Sequence, residues 1–341
     1  SYSASSDSAS SGTTGLDGVW LGDNVVQNEE DPVADAPGEF SSFNSRPGVT
    51  ADGTPYWVGG LTDTQGGGSI DRALFYDSNI LLRGGDDIGV GVPVTTGSGI
   101  DFDFRFSKLG TNYISPIDVA SASSEDLVMV VNGNALVEGG SFVREGTLMP
   151  VSVGGNGTEN WDNFDFTGIN EAGDYFFTGD TDNADTGSDE FVFKNGSVVL
   201  REGDVIDGLT LSGGIEGGYM NEDGDWAVIW DVDTPGGNLE ALIINGSVAF
   251  LEGEQVDWNG DGVVDGGDDG FAITNFTGIS SLTLSDRANQ SIFAYFTADA
   301  TDLNGTELEA GFSFGFPIPE PTPGPFALLA AGIVLRMRRK C

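Results

Sequence analysis

Short runs of apolar and aromatic residues alternate with polar turns along most of the 341-residue chain. The runs are rich in Val, Ile, Phe and Thr, which fit a half-buried pleated surface. The turns between them often contain Asn-Gly or Asp-Gly, which connect neighbouring strands tightly. We find no convincing amphipathic helical period. The pattern therefore predicts an all-β protein built from many short strands.

One recurring pattern is a hairpin that ends in an acidic or Gly-rich step. It occurs five times, at residues 19–31, 74–87, 129–140, 191–204 and 242–254. Three copies carry Asn-Gly, and these two residue types favour the positive φ angles that a tight hairpin turn requires. The three pairs begin at Asn132, Asn195 and Asn245. We expect each copy to form an antiparallel hairpin.

A second pattern is a polar turn that leads into an aromatic strand. It also occurs five times, at residues 50–60, 107–117, 170–180, 221–231 and 286–296. Four copies place a glycine where a turn needs positive φ, and the fifth has Asn, the usual substitute. These residues are Gly53, Gly110, Gly173, Gly224 and Asn289.

The two patterns alternate, so each unit has roughly 50 to 60 residues and about four strands, the size of a propeller blade. The sequence therefore predicts a five-bladed β-propeller over residues 16–316. Its last blade would be closed by joining residues 290–316 to residues 16–53, which leaves no open sheet edge. Residues 306–316 and 15–21 suit the same strand of that blade, and the choice between them stays open. Tandem β-sandwiches are the alternative fold, since they also use short strands at regular spacing.

The polar turns also resemble a known family. NEAGDYFF and NEDGDWAV are similar to the Asn-x-x-Gly-x-x-Ala-Phe repeat of the choice-of-anchor tandem-repeat proteins. The other three copies depart from it at the first position, where they carry Thr50, Ser107 and Asp286. The resemblance implies an exported bacterial repeat domain with no established activity.

Charge and composition exclude several classes of function. The chain has 54 acidic and 13 basic residues, a formal charge of -41, which repels phosphate backbones and attracts cations. We therefore expect no nucleic-acid partner. The chain has no His, and Cys341 is its one cysteine. A Ser-His-Asp or Cys-His catalytic site, a Cys/His zinc site and a disulfide within one chain are all excluded.

The segment DWNGDGVVDGGDD, residues 257–269, has the ligand order of a calcium loop. Oxygen donors occupy positions 1, 3, 5, 7, 9 and 12, and Gly262 stands at position 6, where the loop turns sharply. The predicted Ca²⁺ ligands are Asp257, Asn259, Asp261, the Val263 carbonyl, Asp265 and Asp268. The loop resembles that of dockerins, but Gly266 and Gly267 replace the start of a helix, and there is a single copy. A solvated acidic turn is the alternative.

The C-terminal residues 317–341 combine a Pro-Glu-Pro motif, an apolar run and a basic end. The run, residues 326–335, is about 15 Å long as a helix, whereas a full span takes roughly 20 residues. We therefore expect only transient membrane contact, with the basic end held on the cytoplasmic side. The motif is Pro319, Glu320 and Pro321, and the membrane or stop segment contains Phe326, Leu328, Leu329, Ile333, Val334, Leu335, Arg336, Arg338, Arg339 and Lys340.

This tail resembles a PEP-CTERM sorting signal. The resemblance implies cleavage near Pro-Glu-Pro by an exosortase-type enzyme and delivery to the cell surface or extracellular matrix of a Gram-negative-type bacterium. The short apolar run and the final Cys341 are departures from the family. No leader precedes Ser1, so we expect either that a secretory signal was removed or that the sequence is a fragment. Residues 1–15 are small and polar and are predicted to be a flexible lead-in.

Three functional hypotheses follow. The first is an exported, non-enzymatic surface or matrix protein that calcium stabilises. The second is a carboxylate-based carbohydrate-active or polysaccharide-binding propeller, which needs neither His nor Cys. Its candidate aromatic residues are Trp57, Trp161, Trp226 and Trp230. The third is a self-associating subunit of a surface layer or filament.

Overall fold

The computed structural model describes residues 2–3, 18–21, 24–28, 32–33, 39–43, 47–62, 70–96, 100, 104–257, 271–276, 282–288, 290–302 and 306–318. Within these ranges the protein is all-β, as predicted, and a single 3-10 turn, Val151–Val153, is the one helical element. The strands are β1 (Tyr2–Ser3), β2 (Gly18–Leu21), β3 (Asn24–Asn28), β4 (Glu39–Phe43), β5 (Gly48–Val49), β6 (Pro55–Thr62), β7 (Ile70–Tyr76), β8 (Asn79–Arg83), β9 (Arg105–Phe106), β10 (Tyr113–Asp118), β11 (Leu127–Val131), β12 (Asn134–Ala135), β13 (Val137–Glu138), β14 (Ser141–Phe142), β15 (Trp161–Ile169), β16 (Tyr175–Thr181), β17 (Phe191–Lys194), β18 (Ser197–Arg201), β19 (Val205–Ile206), β20 (Leu209–Met220), β21 (Trp226–Thr234), β22 (Gly237–Ile244), β23 (Ser247–Leu251), β24 (Phe271–Asn275), β25 (Thr283–Leu284), β26 (Ser291–Asp302) and β27 (Glu307–Pro317).

Four sheets repeat one antiparallel order. An entry strand pairs with the aromatic strand of the second sequence pattern, which pairs in turn with the first strand of the following hairpin, and the two hairpin strands pair with each other. The four orders are β4-β6-β7-β8, β9-β10-β11-β12, β15-β16-β17-β18 and β20-β21-β22-β23. Both sequence patterns therefore belong to one structural unit. A meander of this kind is the form of a propeller blade and also of a sandwich sheet.

The chain divides into two compact units, residues 1–165 and 166–341. In the first unit, one core cluster surrounds the stacked rings of Trp57 and Phe75, whose centroids are 5.3 Å apart. In the second unit, one cluster contains Trp226 and Trp230, and another contains Phe312 with the inner residues of β26. The aromatic strands thus supply core residues in both units, because alternate side chains of a strand point to the same face.

The predicted turn geometry is confirmed. Asn132, Asn195 and Asn245 have φ between 46° and 50°, and the glycine after each also has positive φ. Gly53, Gly110, Gly173 and Gly224 have φ between 77° and 93°. Asn289 lies outside the described residues, and its neighbour Gln290 has a φ of 64°.

The structure decides between the two segments that suited one strand of the predicted last blade. Strand β27 pairs with β26 over eleven residue pairs, from Ser291↔Pro317 to Thr301↔Glu307. Strand β2 pairs with β1 and β3 instead. The C-terminal segment therefore takes the strand position that the sequence left open, because a direct hairpin orders a short connection whereas closure by the N-terminus orders a very long one. Tyr2 and Ser3, within the predicted flexible lead-in, form β1.

Candidate functional site

The hairpin asparagines tie each hairpin to the start of the aromatic strand. The Oδ1 atom of Asn245 accepts a hydrogen bond of 3.0 Å from the Trp226 N–H, and its Nδ2 donates to Asp225 at 2.9 Å. Asn195 makes the same pair of bonds with the Tyr175 N–H and Asp174, at 2.8 and 2.9 Å. The hairpin asparagine therefore has two tasks, since it adopts positive φ and it holds the neighbouring turn.

The same contact recurs in the first unit with a different partner. Asn132 accepts from the Tyr113 N–H at 2.8 Å and donates to Asn112 at 2.9 Å. Asp174 and Asp225 are replaced here by a neutral amide, so the contact does not depend on a carboxylate. The repeated feature is the side chain that bridges a turn and a strand.

The first Asn of each Asn-x-x-Gly turn closes the turn on itself. Oδ1 of Asn170 accepts from the Asp174 N–H at 2.8 Å, and Oδ1 of Asn221 accepts from the Asp225 N–H at 2.8 Å. This is the local side-chain to backbone bonding that favours Asn in turns. In the first copy Thr50 closes its turn by donating to the Thr54 carbonyl at 3.0 Å.

Consecutive turns also contact one another. In the first unit, the Ala51 N–H donates to the Lys108 carbonyl at 2.7 Å. In the second unit, Nδ2 of Asn170 donates to the Glu222 carbonyl at 3.2 Å, and Nδ2 of Asn221 donates to the Ser285 carbonyl at 2.7 Å. The repeated turns thus connect one repeat to the next.

An ion pair strengthens the last of these connections. Nε and Nη2 of Arg287 donate to the two carboxylate oxygens of Asp225, at 2.7 and 2.6 Å. Burial by itself would raise the pKa of Asp225, but the hydrogen bonds from Arg287 and Asn245 outweigh it and lower that pKa. Sequence reasoning missed this pair, because the two residues are 62 positions apart and neither belongs to the Asn-x-x-Gly signature.

An acidic cleft of about 230 Å³ lies in the second unit, where β21, β22 and β24 approach one another. Asp231, Glu240 and Glu252 line it together with Thr274 and Asn275. Nothing in the sequence marked these carboxylates as a group, since they come from three strands or strand ends.

Two carboxyls of this cleft have raised pKa values. Burial raises the pKa of Asp231, and the negative charges of Glu216 and Glu252 raise it further. Burial also raises the pKa of Glu240, whose Oε2 accepts a 2.6 Å hydrogen bond from the Phe276 N–H that offsets part of the effect. Such a site favours protonated carboxyls over three free negative charges.

A glutamate recurs at one position in three repeats. Their N–H groups donate hydrogen bonds of 2.8 to 2.9 Å to backbone carbonyls in or beside the first strand of the preceding hairpin. The pairs are Glu145 with Leu127, Glu202 with Glu190 and Glu252 with Glu240. The structural equivalence of these glutamates is hidden in the sequence. In the repeat of strands β9 to β12, the β13–β14 hairpin is inserted before Glu145.

Two of these glutamates have raised pKa values. Burial, followed by the contact with Asp189, raises the pKa of Glu202 to about 7. Glu202 is 6% exposed, and among the described residues no hydrogen-bond partner reaches its Oε2. Burial and the neighbouring Asp126 similarly raise the pKa of Glu145 to about 7.

The ends of the predicted calcium loop are held together by backbone hydrogen bonds. The Val256 N–H donates to the Phe271 carbonyl at 3.0 Å, and the Gly253 N–H donates to the Ile273 carbonyl at 2.7 Å. Asp257, the first predicted ligand, is completely buried. Asn259, Asp261, Val263, Asp265 and Asp268 lie outside the described residues.

The remaining predicted site residues are either in the core or outside the described ranges. Trp57, Trp161 and Trp230 are fully buried and Trp226 is 5% exposed, so none of the four presents a ring to a ligand at the surface. The Pro-Glu-Pro motif and the membrane segment, residues 319–340, lie outside the described residues.

Within the described part of the chain, no group of three or more Asp, Glu, His or Cys side chains is arranged to hold a metal ion. Nor does any helix in those ranges combine the length and apolar character that a bilayer crossing needs.

A distant structural likeness exists to a known enzyme. It is the mannose phosphorylase MPT-4 from Leishmania mexicana, solved in complex with phosphate ion. The chains are 9% identical with a TM-score of 0.20, and the match covers 84% of this chain and 65% of that chain. A likeness this low carries no argument about fold or activity. No protein-family model matches the chain, and no curated protein matches it.

Proposed function

We propose that the protein is an exported, non-enzymatic component of a bacterial cell surface or extracellular matrix, stabilised by Ca²⁺ and sorted through its C-terminal tail. The observation that carries the proposal is the closed neck of the acidic loop, by which we mean the contact between the residues on its two sides. The Val256–Phe271 hydrogen bond joins these two sides, and Asp257, the first predicted ligand, is buried and so starts the loop from a fixed position.

A closed neck favours cation binding for an entropic reason. Metal ligands that start from a fixed end lose less conformational freedom on binding than ligands on a free chain. The following segment, β24, packs Ile273 into the core of the second unit. Binding in the loop therefore stabilises β24 and the sheet to which it belongs, through the linkage between binding and folding.

The repeated turns support a structural role. The Asn side chains that give the chain its repeat signature are engaged in closing turns and joining repeats. A formal charge of -41 suits a protein that works among cations outside the cell. Exosortase-type processing of residues 317–341 is part of the proposal and rests on the resemblance of the tail.

The sorting step is tested by the intact mass of the protein recovered from its native cells. We expect a C-terminus near Pro321. A mature protein that ends at Cys341 would contradict sorting by cleavage and would leave calcium stabilisation untouched.

The acidic cleft favours a second candidate, a carboxylate-based activity on polysaccharides. Asp231 and Glu240 have raised pKa values, as a general acid requires, and Glu252 supplies a further carboxylate. The test is release of reducing ends from a panel of neutral polysaccharides. This candidate predicts release by the wild type and none by Glu240→Gln, whereas the non-enzymatic proposal predicts none by either.

A further inference from the structure

Strands β26 and β27 expose two aromatic side chains on one face. Alternate residues of a strand point to opposite faces. The even-numbered residues of both strands, such as Phe296 and Phe312, pack into the core of the second unit, so the odd-numbered residues form the outer face. On that face Phe293 is 37% exposed and Tyr295 is 46% exposed. Neighbouring exposed rings form an apolar patch of the kind that marks an interaction site.

Glycines of β27 leave this face low and open. Gly315 lies opposite Phe293, and an added Cβ there would lie 3.1 Å from the Phe293 ring, so the ring leans over the neighbouring strand. At Gly311, further along the same face, an added Cβ would meet nothing within 4 Å. The aromatic patch therefore extends across both strands, and a further chain segment can lie along it without a clash.

The far end of the same face is acidic. Asp299 of β26 lies directly opposite Glu309 of β27, and Glu307 is the next outward residue of β27. Both glutamates are exposed. Like charges opposite each other in a ladder are destabilising, and neither strand contains Lys or Arg. This end of the face therefore favours a partner that brings positive charge.

The C-terminal tail leaves the sheet at the aromatic end of the face. Ile318 follows β27 directly, and its N–H donates to the Gln290 carbonyl at 2.7 Å, next to the start of β26. Seven residues, PEPTPGP at 319–325, then lead to the apolar run. They span at most about 25 Å, and their Pro-Gly pair favours a turn that reverses the chain. The apolar run therefore begins within reach of Phe293.

The tail and the face follow the same order from this point. The tail carries its apolar run, residues 326–335, before its basic end, residues 336–340, which holds four of the 13 basic residues of the chain. The face carries its aromatic rings before its carboxylates. The apolar run is about 15 Å long as a helix, and Phe293 and Asp299 are about 20 Å apart at roughly 3.3 Å per residue. Apolar residues therefore meet aromatic rings where basic residues meet carboxylates.

We propose that the tail folds back along the outer face of β26 and β27. Its apolar run covers Phe293 and Tyr295, and its basic end contacts Asp299 and Glu309. The contact forms in the full chain, so it holds whether or not cells cleave the tail. Where cleavage near Pro321 follows, as the proposed function expects, it uncovers the aromatic patch on the mature protein.

The tail of the same chain is favoured over the tail of a second copy. Both carry the same groups, but a linker of seven residues confines the chain's own tail near the face. Short linkers raise the effective concentration of a tethered partner to about the millimolar range. A second copy in dilute solution therefore competes poorly for the face.

Cys341 is the one cysteine of the chain and directly follows the basic end, so it reports where the tail lies. Glu307→Cys places a second thiol at the acidic end of the face, at an exposed position. Asp233→Cys is the matched control, because Asp233 is also an exposed carboxylate and lies in another sheet of the same unit. With oxidised glutathione as the oxidant, we expect a disulfide within one chain to form at least tenfold faster in Glu307→Cys than in the control, measured by mass spectrometry without reduction.

The apolar contact has its own test. In the chain with Glu307→Cys, the pair of substitutions Leu329→Ser and Ile333→Ser should slow this disulfide at least tenfold. Thr322→Ser, which lies before the apolar run, should leave the rate unchanged. If Glu307→Cys does not fold, Glu309→Cys reports on the same face.

Equal rates in Glu307→Cys and Asp233→Cys would overturn the proposal, because they would mean that the tail is not held on this face. A rate that the two serine substitutions leave unchanged would overturn it as well. So would disulfides that mainly join two chains and increase with concentration, since these would assign the contact to a second copy. A mature protein that ends at Cys341 in cells would contradict sorting by cleavage and leave this result unchanged, so the two proposals fail separately.

Discussion

Arg287 binds Asp225 through two hydrogen bonds of 2.7 and 2.6 Å and so joins the turns of two consecutive repeats. The Asp225 side chain is 2% exposed, whereas that of Arg287 is 46% exposed. Removing one partner of such a pair leaves the buried carboxylate without its charge partner, whereas the exposed guanidinium is readily solvated. Loss of Arg287 should therefore destabilise the protein more than loss of Asp225.

We predict that Arg287→Gln lowers the free energy of unfolding by about 3 kcal/mol, the usual cost of leaving a buried charge unpaired. Asp233→Asn is the control, since Asp233 is an exposed carboxylate of the same unit. Urea unfolding monitored by tryptophan fluorescence measures both. Equal stability of Arg287→Gln and the control would show that the ion pair does not hold the repeats together.

The same pair predicts loss of stability in acid. The folded-state pKa of Asp225 lies below its ordinary value of 3.8. Its contribution is therefore present above about pH 4 and is lost as pH falls through the folded-state pKa. In Asp225→Asn this part of the acid transition should disappear from the dependence of stability on pH. An acid limb identical to that of the wild type would contradict the assignment.

The raised pKa values of Glu145 and Glu202 predict the opposite trend near neutrality. Glu145 and Glu202 have ordinary pKa values of 4.5 and folded-state values of about 7. Their contribution is therefore fully present below about pH 4.5 and is lost as pH rises through about 7. Glu202→Gln removes this ionisable group, so we expect it to melt above the wild type at pH 8 and close to it at pH 5. The exposed Glu309→Gln is the control, and a Glu202→Gln variant that tracks it at both pH values would contradict the raised pKa of Glu202.

The hairpin asparagines predict a difference between two substitutions at one position. Asn245→Gly keeps the positive φ and loses two side-chain hydrogen bonds, which costs about 1 to 3 kcal/mol at roughly 0.5 to 1.5 kcal/mol each. Asn245→Ala also forces a Cβ into the left-handed region, which adds about 1 kcal/mol. Thermal unfolding of both variants measures the difference. If both lose the same amount, backbone conformation is not part of the role of Asn245.

Local chemistry made part of this structure predictable. The positive φ of Asn132, Asn195 and Asn245 follows from Asn-Gly between apolar runs, because this dipeptide suits only a few backbone conformations. The all-β fold follows from the short apolar runs and their alternation with polar turns. Each of these inferences needs only a few neighbouring residues.

Contacts between distant residues were not predictable. The raised pKa of Glu202 depends first on burial, which no short segment reveals. The pairing of β27 with β26 depended on a choice between two segments of similar pattern, and the direct hairpin prevailed over closure by residues 16–53. The joints between consecutive turns, such as Asn221 with Ser285, use backbone carbonyls, which any residue type offers.

The most direct test of the proposed function is the melting temperature of the full chain in Ca²⁺ and in chelator. We predict that chelator lowers the melting temperature of the wild type and of the control Asp233→Ala. Asp261→Ala, which removes a predicted ligand, should melt at the lower temperature in both conditions. A wild type that melts at one temperature with and without Ca²⁺ would contradict calcium stabilisation.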